Sequence, residues 1–384
     1  MAIVATDWGR RVQITTTETV ATLSGYVGLI TEANLPAEIW SLAINLGGDL
    51  RVCENSDGSS QLPLEVVNFD TSGNTAQLWV RFGSFATGQS LWLFYDKTGE
   101  TQPLVSAAFG RNAVWADFEY AFHLETGSKL VDATGNHSLT QNGTILDIAG
   151  EIGSGSDSAL NLANYYSVTG YTGVAGAAAR THKIWLATTS VGSLQSYFEY
   201  GTNATGERVS VRNGSTTDTL RIEVQGNGQD VAVTNLTDGS FRLASIKVDG
   251  SSSFPSNLTV NVNGVNLLEK PAAIVPFSTT LLGDIQFKNS LSASVPAGKQ
   301  DEHTLRLFET TLSLDATEYS NQSAPNTFWS TGAPEATGTA SASITNVDTN
   351  DTVTDGQQNA TLTVAGFGNN INALDLRVGS DTLA

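Results

Sequence analysis

Short apolar segments, alternating with polar positions every second residue and broken by Gly, Asn and Asp, recur along the chain. In Trp8-Gly-Arg-Arg-Val-Gln-Ile-Thr the apolar positions Trp8, Val12 and Ile14 fall on one side of an extended backbone, which predicts a half-buried strand. Gly48-Asp-Leu-Arg-Val, Leu62-Pro-Leu-Glu-Val, Ala76-Gln-Leu-Trp-Val-Arg-Phe and Leu91-Trp-Leu-Phe-Tyr-Asp are further strand-like runs. Asp57-Gly58 and Ser72-Gly73-Asn74 supply turns between them. Tyr120, Phe122 and Leu124 alternate in the same way, which places His123 on the polar parity, facing solvent. That strand leads through Gly127-Ser128 into Asp132-Ala-Thr-Gly-Asn136, where Asp and Asn bond their own backbone and Gly takes positive φ. Phe241-Arg-Leu-Ala-Ser-Ile-Lys-Val-Asp-Gly and Leu258-Thr-Val-Asn-Val-Asn-Gly each alternate and then turn at glycine. Gly226-Asn-Gly228 reads as another hairpin turn, since it lacks the third glycine and the helix of a dinucleotide loop.

Long helical runs of Ala, Glu, Lys and Leu are missing, so the fold class is all-β and multi-domain. A length of 384 residues allows two or three separate cores. Residues 1–98 form an N-terminal β-sandwich-like domain, and residues 99–112, with Pro103 and Gly110, form a polar linker. Residues 113–332 make the central domain, and Ala333-Pro-Glu-Ala-Thr-Gly-Thr-Ala-Ser-Ala (333–342) is a second linker. Residues 343–384 carry three strand-like pieces, Ile344-Thr-Asn-Val, Ala360-Thr-Leu-Thr-Val-Ala-Gly-Phe and Leu374-Asp-Leu-Arg-Val-Gly-Ser. About 40 residues do not bury a core unaided. This segment is therefore expected to dock on another unit, to pair with a neighbouring chain, or to be cut from a longer protein.

Several of these motifs resemble known families. The stretch 120–144 resembles the opening hairpin of laminin-G/concanavalin A-like lectin domains, with Val131-Asp132 and Gly135-Asn136 at the matching turn. Ala159-Leu-Asn-Leu, Lys183-Ile-Trp-Leu-Ala, Leu281-Leu-Gly-Asp and Asp301-Glu-His-Thr-Leu-Arg-Leu-Phe are similar to later strands of that domain, with Trp185 expected in its core. Residues 1–98 resemble an uncharacterised β-domain that commonly precedes it in bacterial surface and phage proteins. Residues 312–328 are similar to the tail Tyr-x-Asn-Gln-x-x-Pro-x-x-Phe seen when the two occur together, here Tyr319, Asn321, Gln322, Pro325 and Phe328. Residues 343–384 resemble half of an immunoglobulin-like IPT/TIG domain. These resemblances imply a β-sandwich, then a concanavalin-like jelly roll, then an immunoglobulin-like C-terminal segment.

The formal net charge of -19 argues against nucleic acid, which needs clustered Lys and Arg, and against an anionic membrane surface. No run approaches the roughly 20 apolar residues of a membrane helix. Cys53 is the sole cysteine, so no intrachain disulfide and no thiolate zinc cluster can form, and a buried, inert thiol is expected. Met-Ala-Ile-Val-Ala-Thr-Asp-Trp has no basic region and no apolar core and does not read as a signal peptide, so the expectation is folding in a bacterial cytoplasm or a chain whose leader has been removed.

Candidate chemistry is sparse. Concanavalin-like glycosidases set carboxylates on one strand face, but their Glu-x-Asp-x-x-Glu pattern is absent, and Asp117 with Glu119 lacks a third partner. His123, His137, His182 and His303 form no His-x-His or His-Glu-x-x-His, and no Gly-x-Ser-x-Gly elbow occurs. No catalytic or cofactor-binding residue is therefore assigned, and the metal site is left open. Calcium is the candidate ion, because several laminin-G-like domains bind it; Asp132 with Asn136, or Asp157, would contribute, against the alternative of an Asx-turn at Asp132. Trp8, Trp79, Trp92 and Trp185 fall in strand patterns and are expected in cores, whereas Tyr165, Tyr166, Tyr171, Trp40 and Trp329 are candidate sugar-stacking rings. The resulting expectation is a non-enzymatic bacteriophage virion protein of the tail tip, tail fibre or capsid decoration, assembled in the host cytoplasm. It would be a homo-oligomer meeting host glycans or other virion proteins. A bacterial surface or secreted adhesin or carbohydrate-binding module is the alternative, and a polysaccharide-cleaving glycosidase the third reading.

Overall fold

The computed structural model describes residues 3–337 except 160, 162, 192–194, 281–283, 288–294 and 297, and beyond them the antiparallel strands Ser341–Thr345 and Thr361–Ala365. The rest of the immunoglobulin-like expectation falls outside the described residues. The chain is all-β; among the described residues its four larger sheets are stacked, with two-stranded pieces and short helices at the edges.

The first two sheets enclose one core. A six-stranded sheet carries, in order, Trp329–Thr331, Arg10–Thr16, Ser90–Tyr95, Arg51–Cys53 and Gln61–Leu62, with Glu335–Ala336 also on Arg10–Thr16. A three-stranded sheet is made of Val27–Thr31, Thr75–Arg81 and Leu64–Asp70. Val12, Ile14, Val52, Leu91 and Leu93 from the first meet Ile30, Leu78, Val80 and Phe69 from the second. The expected strands at 8–15, 48–52, 76–82 and 91–96 are present, with Val12 and Ile14 facing this core, while Trp8 precedes its strand and packs with Cys53 and Phe94 in a separate cluster.

The last two sheets enclose a second core. One carries Leu146–Ala149, Ser154–Asp157, Lys299–Arg306, Arg180–Ala187, Arg242–Val248, Leu258–Val262 and Val265–Glu269, with Phe118–Phe122 on the Lys299–Arg306 strand. Facing it are Thr140–Asn142, Tyr165–Val168, Ile285–Phe287, Gln195–Gly201, Arg208–Asn213, Thr219–Val224 and Asn227–Ala232, with Val295–Pro296 parallel to Gln195–Gly201. Tyr120, Phe122, Ile184, Leu186, Ile246 and Val260 pack against Tyr166, Phe198, Val211, Ile222 and Phe287. The hairpin predicted at 241–264 is the pairing of Arg242–Val248 with Leu258–Val262.

The three-stranded sheet is buried on both faces, and its second face rests on the outer face of the second sandwich. Val27, Leu29 and Trp79 from the first unit meet Val114, Trp115, Phe118, Ala121, Trp185 and Leu243. Trp185 thus fills this junction rather than the sandwich interior, because its parity on Arg180–Ala187 is opposite to that of Ile184 and Leu186. Trp79 and Trp185 are 2% and 1% exposed, and each ring contributes about 4–6 kcal/mol of gross transfer free energy.

Residues 312–336 close the junction. The helix Leu312–Ser323, capped by Thr311, lies over the outer face of the second sandwich. It then delivers Phe328 and Trp329 into the first core. Trp329–Thr331 and Glu335–Ala336 add to Arg10–Thr16, more than 310 positions earlier, as the Thr15–Ser330 contact spans 315 residues. The second sandwich is in this sense an insertion in the first. Among the described residues no helix is long and apolar enough to cross a membrane.

Candidate functional site

His123 does not face solvent. It has the predicted parity, opposite to Phe122 and Leu124, but the face it points from is covered by the first unit, leaving it 5% exposed. Its Nδ1–H donates to Glu302 Oε2 at 2.7 Å and its Nε2–H to Glu65 Oε2 at 3.1 Å, while Trp79 stacks on the ring at 5.7 Å between centroids. Burial works against the imidazolium, but Glu302 and Glu65 outweigh it and hold the pKa well above the ordinary histidine value. Trp115 Nε1–H also donates to Glu65 Oε2, at 2.5 Å. Glu302 reaches the histidine from a β-bulge at φ +45°, where the register of Lys299–Arg306 against Arg180–Ala187 shifts.

A second buried network lies under the helix. Lys183 contacts Glu318 and lies 2.6 Å from Asp315, Arg306 Nη2 donates to Glu318 Oε1 at 2.5 Å, and Lys247 is 3.2 Å from Asp315. Burial would raise the Asp315 carboxyl, yet Lys183, the Thr310 hydroxyl and Lys247 bring it down to about 2. The tail residues complete the lock. Asn321 accepts from Leu29 N–H at 2.6 Å and donates to Leu29 C=O at 2.9 Å, pairing like a strand with the edge of the three-stranded sheet. Gln322 accepts from Trp185 Nε1 at 2.8 Å, Tyr319 packs on Trp185, and Pro325 C=O accepts from Asn34 Nδ2 at 2.8 Å.

Beside this lock the two units leave a cleft of about 500 Å³. Glu32, Glu125 and Glu151 line it together with Asn68, Gln77 and Asn326, and Leu29, Ile152 and Pro325 supply its apolar surface. Glu125 Oε2 accepts from Ser154 N–H at 2.7 Å and Glu32 Oε2 from Ala76 N–H at 3.2 Å. Gly153, at φ +58°, also lines it; a Cβ there would stand 2.5 Å from Glu125 Oε2 and 3.1 Å from Gln77 Oε1.

The residues singled out in the sequence are elsewhere and occupied. Asp132 is 2% exposed and accepts from Ala121 N–H, Thr134 N–H, the Thr134 hydroxyl and His137 N–H, which is the Asx-turn arrangement. Asn136 donates to the Glu119 carbonyl, and Asp157 Oδ1 accepts from Ala159 N–H. Among the described residues no group of three or more His, Cys, Asp or Glu is placed to hold a metal ion. Asp117 pairs with Arg81 at 2.5 Å and Glu119 accepts from His137 Nε2–H at 2.8 Å, so the two carboxylates face different partners. His182 and His303 sit inside the second core.

The aromatic platform is not assembled. Tyr166, Tyr171 and Trp329 are buried core residues, Trp40 stacks on Phe69, and only Trp40 and Tyr165 are half-exposed. Trp92, expected in a core, is half-exposed under Arg11. Cys53 is buried, and burial pushes its thiol up to about 12. Sequence patterning missed Glu65, Gln77, Glu125, Lys183, Glu302 and Glu318. The available signal was a row of charges, Lys183, Lys247, Glu302 and Arg306, on one parity of neighbouring strands.

No family model and no curated protein matches the chain. Among solved structures it is similar to domain 4 of AbnA, a GH43 extracellular arabinanase from Geobacillus stearothermophilus, in complex with arabinotriose. That match has a TM-score of 0.41 and 17% identity and covers 52% of this chain and 97% of that one. It is also similar to the binding domain of Paraclostridial Mosquitocidal Protein 1 (TM-score 0.42, 11% identity, 53% of this chain and 52% of that one). A third is the receptor binding domain of Botulinum Neurotoxin Type G (TM-score 0.38, 11% identity, 54% and 51%). The chain spans about half the length of these two toxin domains.

Proposed function

We propose that this chain is a non-enzymatic binding module: two β units locked into one body that holds a partner against its surface. The carrying observation is the junction. His123 pairs with Glu65 and Glu302, and Lys183 and Arg306 pair with Asp315 and Glu318, all of them buried, so charged groups taken out of water hold the two units together. The second unit is read as a laminin-G/concanavalin-like jelly roll. Its setting is read as a bacteriophage virion, at the tail tip, tail fibre or capsid surface, where a rigid, acidic, disulfide-free body contacts host glycans or other virion proteins and copy number multiplies weak contacts. A bacterial surface adhesin or carbohydrate-binding module would use the same body. Incubating the chain with a panel of bacterial polysaccharides should release no reducing sugar, while a glycan array or virion-protein blot should show binding. Sustained sugar release would overturn the reading, and a mass measurement of the native assembly would separate virion from cell surface.

A further inference from the structure

Gln77 carries an atom that the fold does not use. Its Nε2 donates to Glu302 Oε1 at 3.0 Å, which fixes the amide orientation and leaves Oε1 beside Gly153 in the cleft wall, 3.1 Å from where a Cβ would stand. The residue is 4% exposed and, among the described residues, Oε1 has no hydrogen-bond partner. An acceptor buried in this way is unfavourable unless a donor meets it. Over Gly153 this oxygen converges with Glu125 Oε2. Glu32 and Glu151 also line the cleft, and among the described residues no Lys, Arg, His or aromatic side chain lines it.

From this geometry we infer that the cleft between the two units binds a protonated amine or guanidinium, presented by a basic segment of a partner protein. The chemistry is one of acceptors without donors. Three carboxylates and a fixed amide oxygen favour N–H groups bearing positive charge, and Leu29 and Ile152 give apolar surface to the methylene stem of a lysine or arginine. Neutral sugars are less well served, because no ring in the cleft offers a stacking face. A volume of about 500 Å³ lies within the range of small-ligand sites. The chain's net charge of -19 would draw such a segment in. The inference rests on the binding-module reading and narrows it to one site and one ligand chemistry.

The test is calorimetric titration of the full chain with trilysine, at low and at physiological salt. Expected is binding that weakens with salt, that is absent for lysine-acetylated trilysine, and that falls about tenfold in the shape-preserving pair E125Q/E151Q. The pair E54Q/D57N, which removes two charges away from the cleft, should bind as the unmodified chain does. No binding by the unmodified chain, equal binding of the acetylated peptide, or equal loss in both pairs would overturn the site. Failure of the broader reading would appear instead as sugar release by the unmodified chain, which this titration does not measure.

Discussion

Replacing Glu318 by Gln removes one charge from the centre of the junction and keeps the shape. Glu318 is 3% exposed and receives Lys183 and Arg306. Lys183 keeps Asp315 at 2.6 Å, but Arg306 is left with the ring of Phe118 at 4.5 Å and the Gly25 carbonyl at 3.4 Å. Removing one partner of a buried ion pair costs about 3–5 kcal/mol, because the remaining charge stays desolvated. With Lys183 still paired, the lower end applies, so E318Q should lose about 3 kcal/mol, a roughly 150-fold shift toward the unfolded state. Removing both charges in R306M/E318L leaves no orphan and should recover most of that loss. Urea unfolding followed by tryptophan fluorescence reads both variants. A loss under about 1 kcal/mol in E318Q, or a double variant as unstable as the single one, would refute the reasoning.

Asn321→Ala removes both hydrogen bonds to Leu29 and strands its buried N–H, while the C=O keeps Trp329 Nε1–H at 2.8 Å, for a loss of about 1–3 kcal/mol by the same measurement. Two of the buried histidines, His123 and His182, should tilt the pH profile in opposite directions. Burial and Arg180 lower the His182 pKa in the fold, so below about pH 6.5 the unfolded chain binds the extra proton and stability falls with acidification; H182Q should flatten that limb. The His123 pKa is raised, so its contribution is complete below about pH 6.5 and is lost as pH climbs through the folded value; H123Q should flatten the alkaline limb of a Tm-versus-pH series. With its thiol pushed up to about 12, native Cys53 should resist a thiol reagent at mildly alkaline pH and react at the rate of global unfolding.

Local alternation made most strands legible, since each needs only its own few residues to show a face. The runs 91–96 and 241–264 are examples. What alternation does not show is the neighbour that covers a face. His123, Lys183 and Arg306 carry the polar parity that ordinarily meets water, but a second sheet and a helix lie over them. The tail motif was visible as a pattern, while its work was not, because Asn321 meets Leu29 across 292 positions and Trp329 joins a core begun at Val12. The cleft was hidden for the same reason. Gln77 and Glu125 come from different units, and only the stacking of those units brings their oxygens over Gly153.

The pairing of Arg10 with Ala336 has a mechanical outcome. Residues 9 and 337 leave the six-stranded sheet side by side, so tension on the flanking chain pulls two neighbouring antiparallel strands apart from the same end. Hydrogen bonds loaded in that way break in succession, like a zip, while everything between residues 17 and 328 hangs outside the line of force. A load carried through this protein would spare the inserted sandwich and peel the seam at Arg10–Thr16 first.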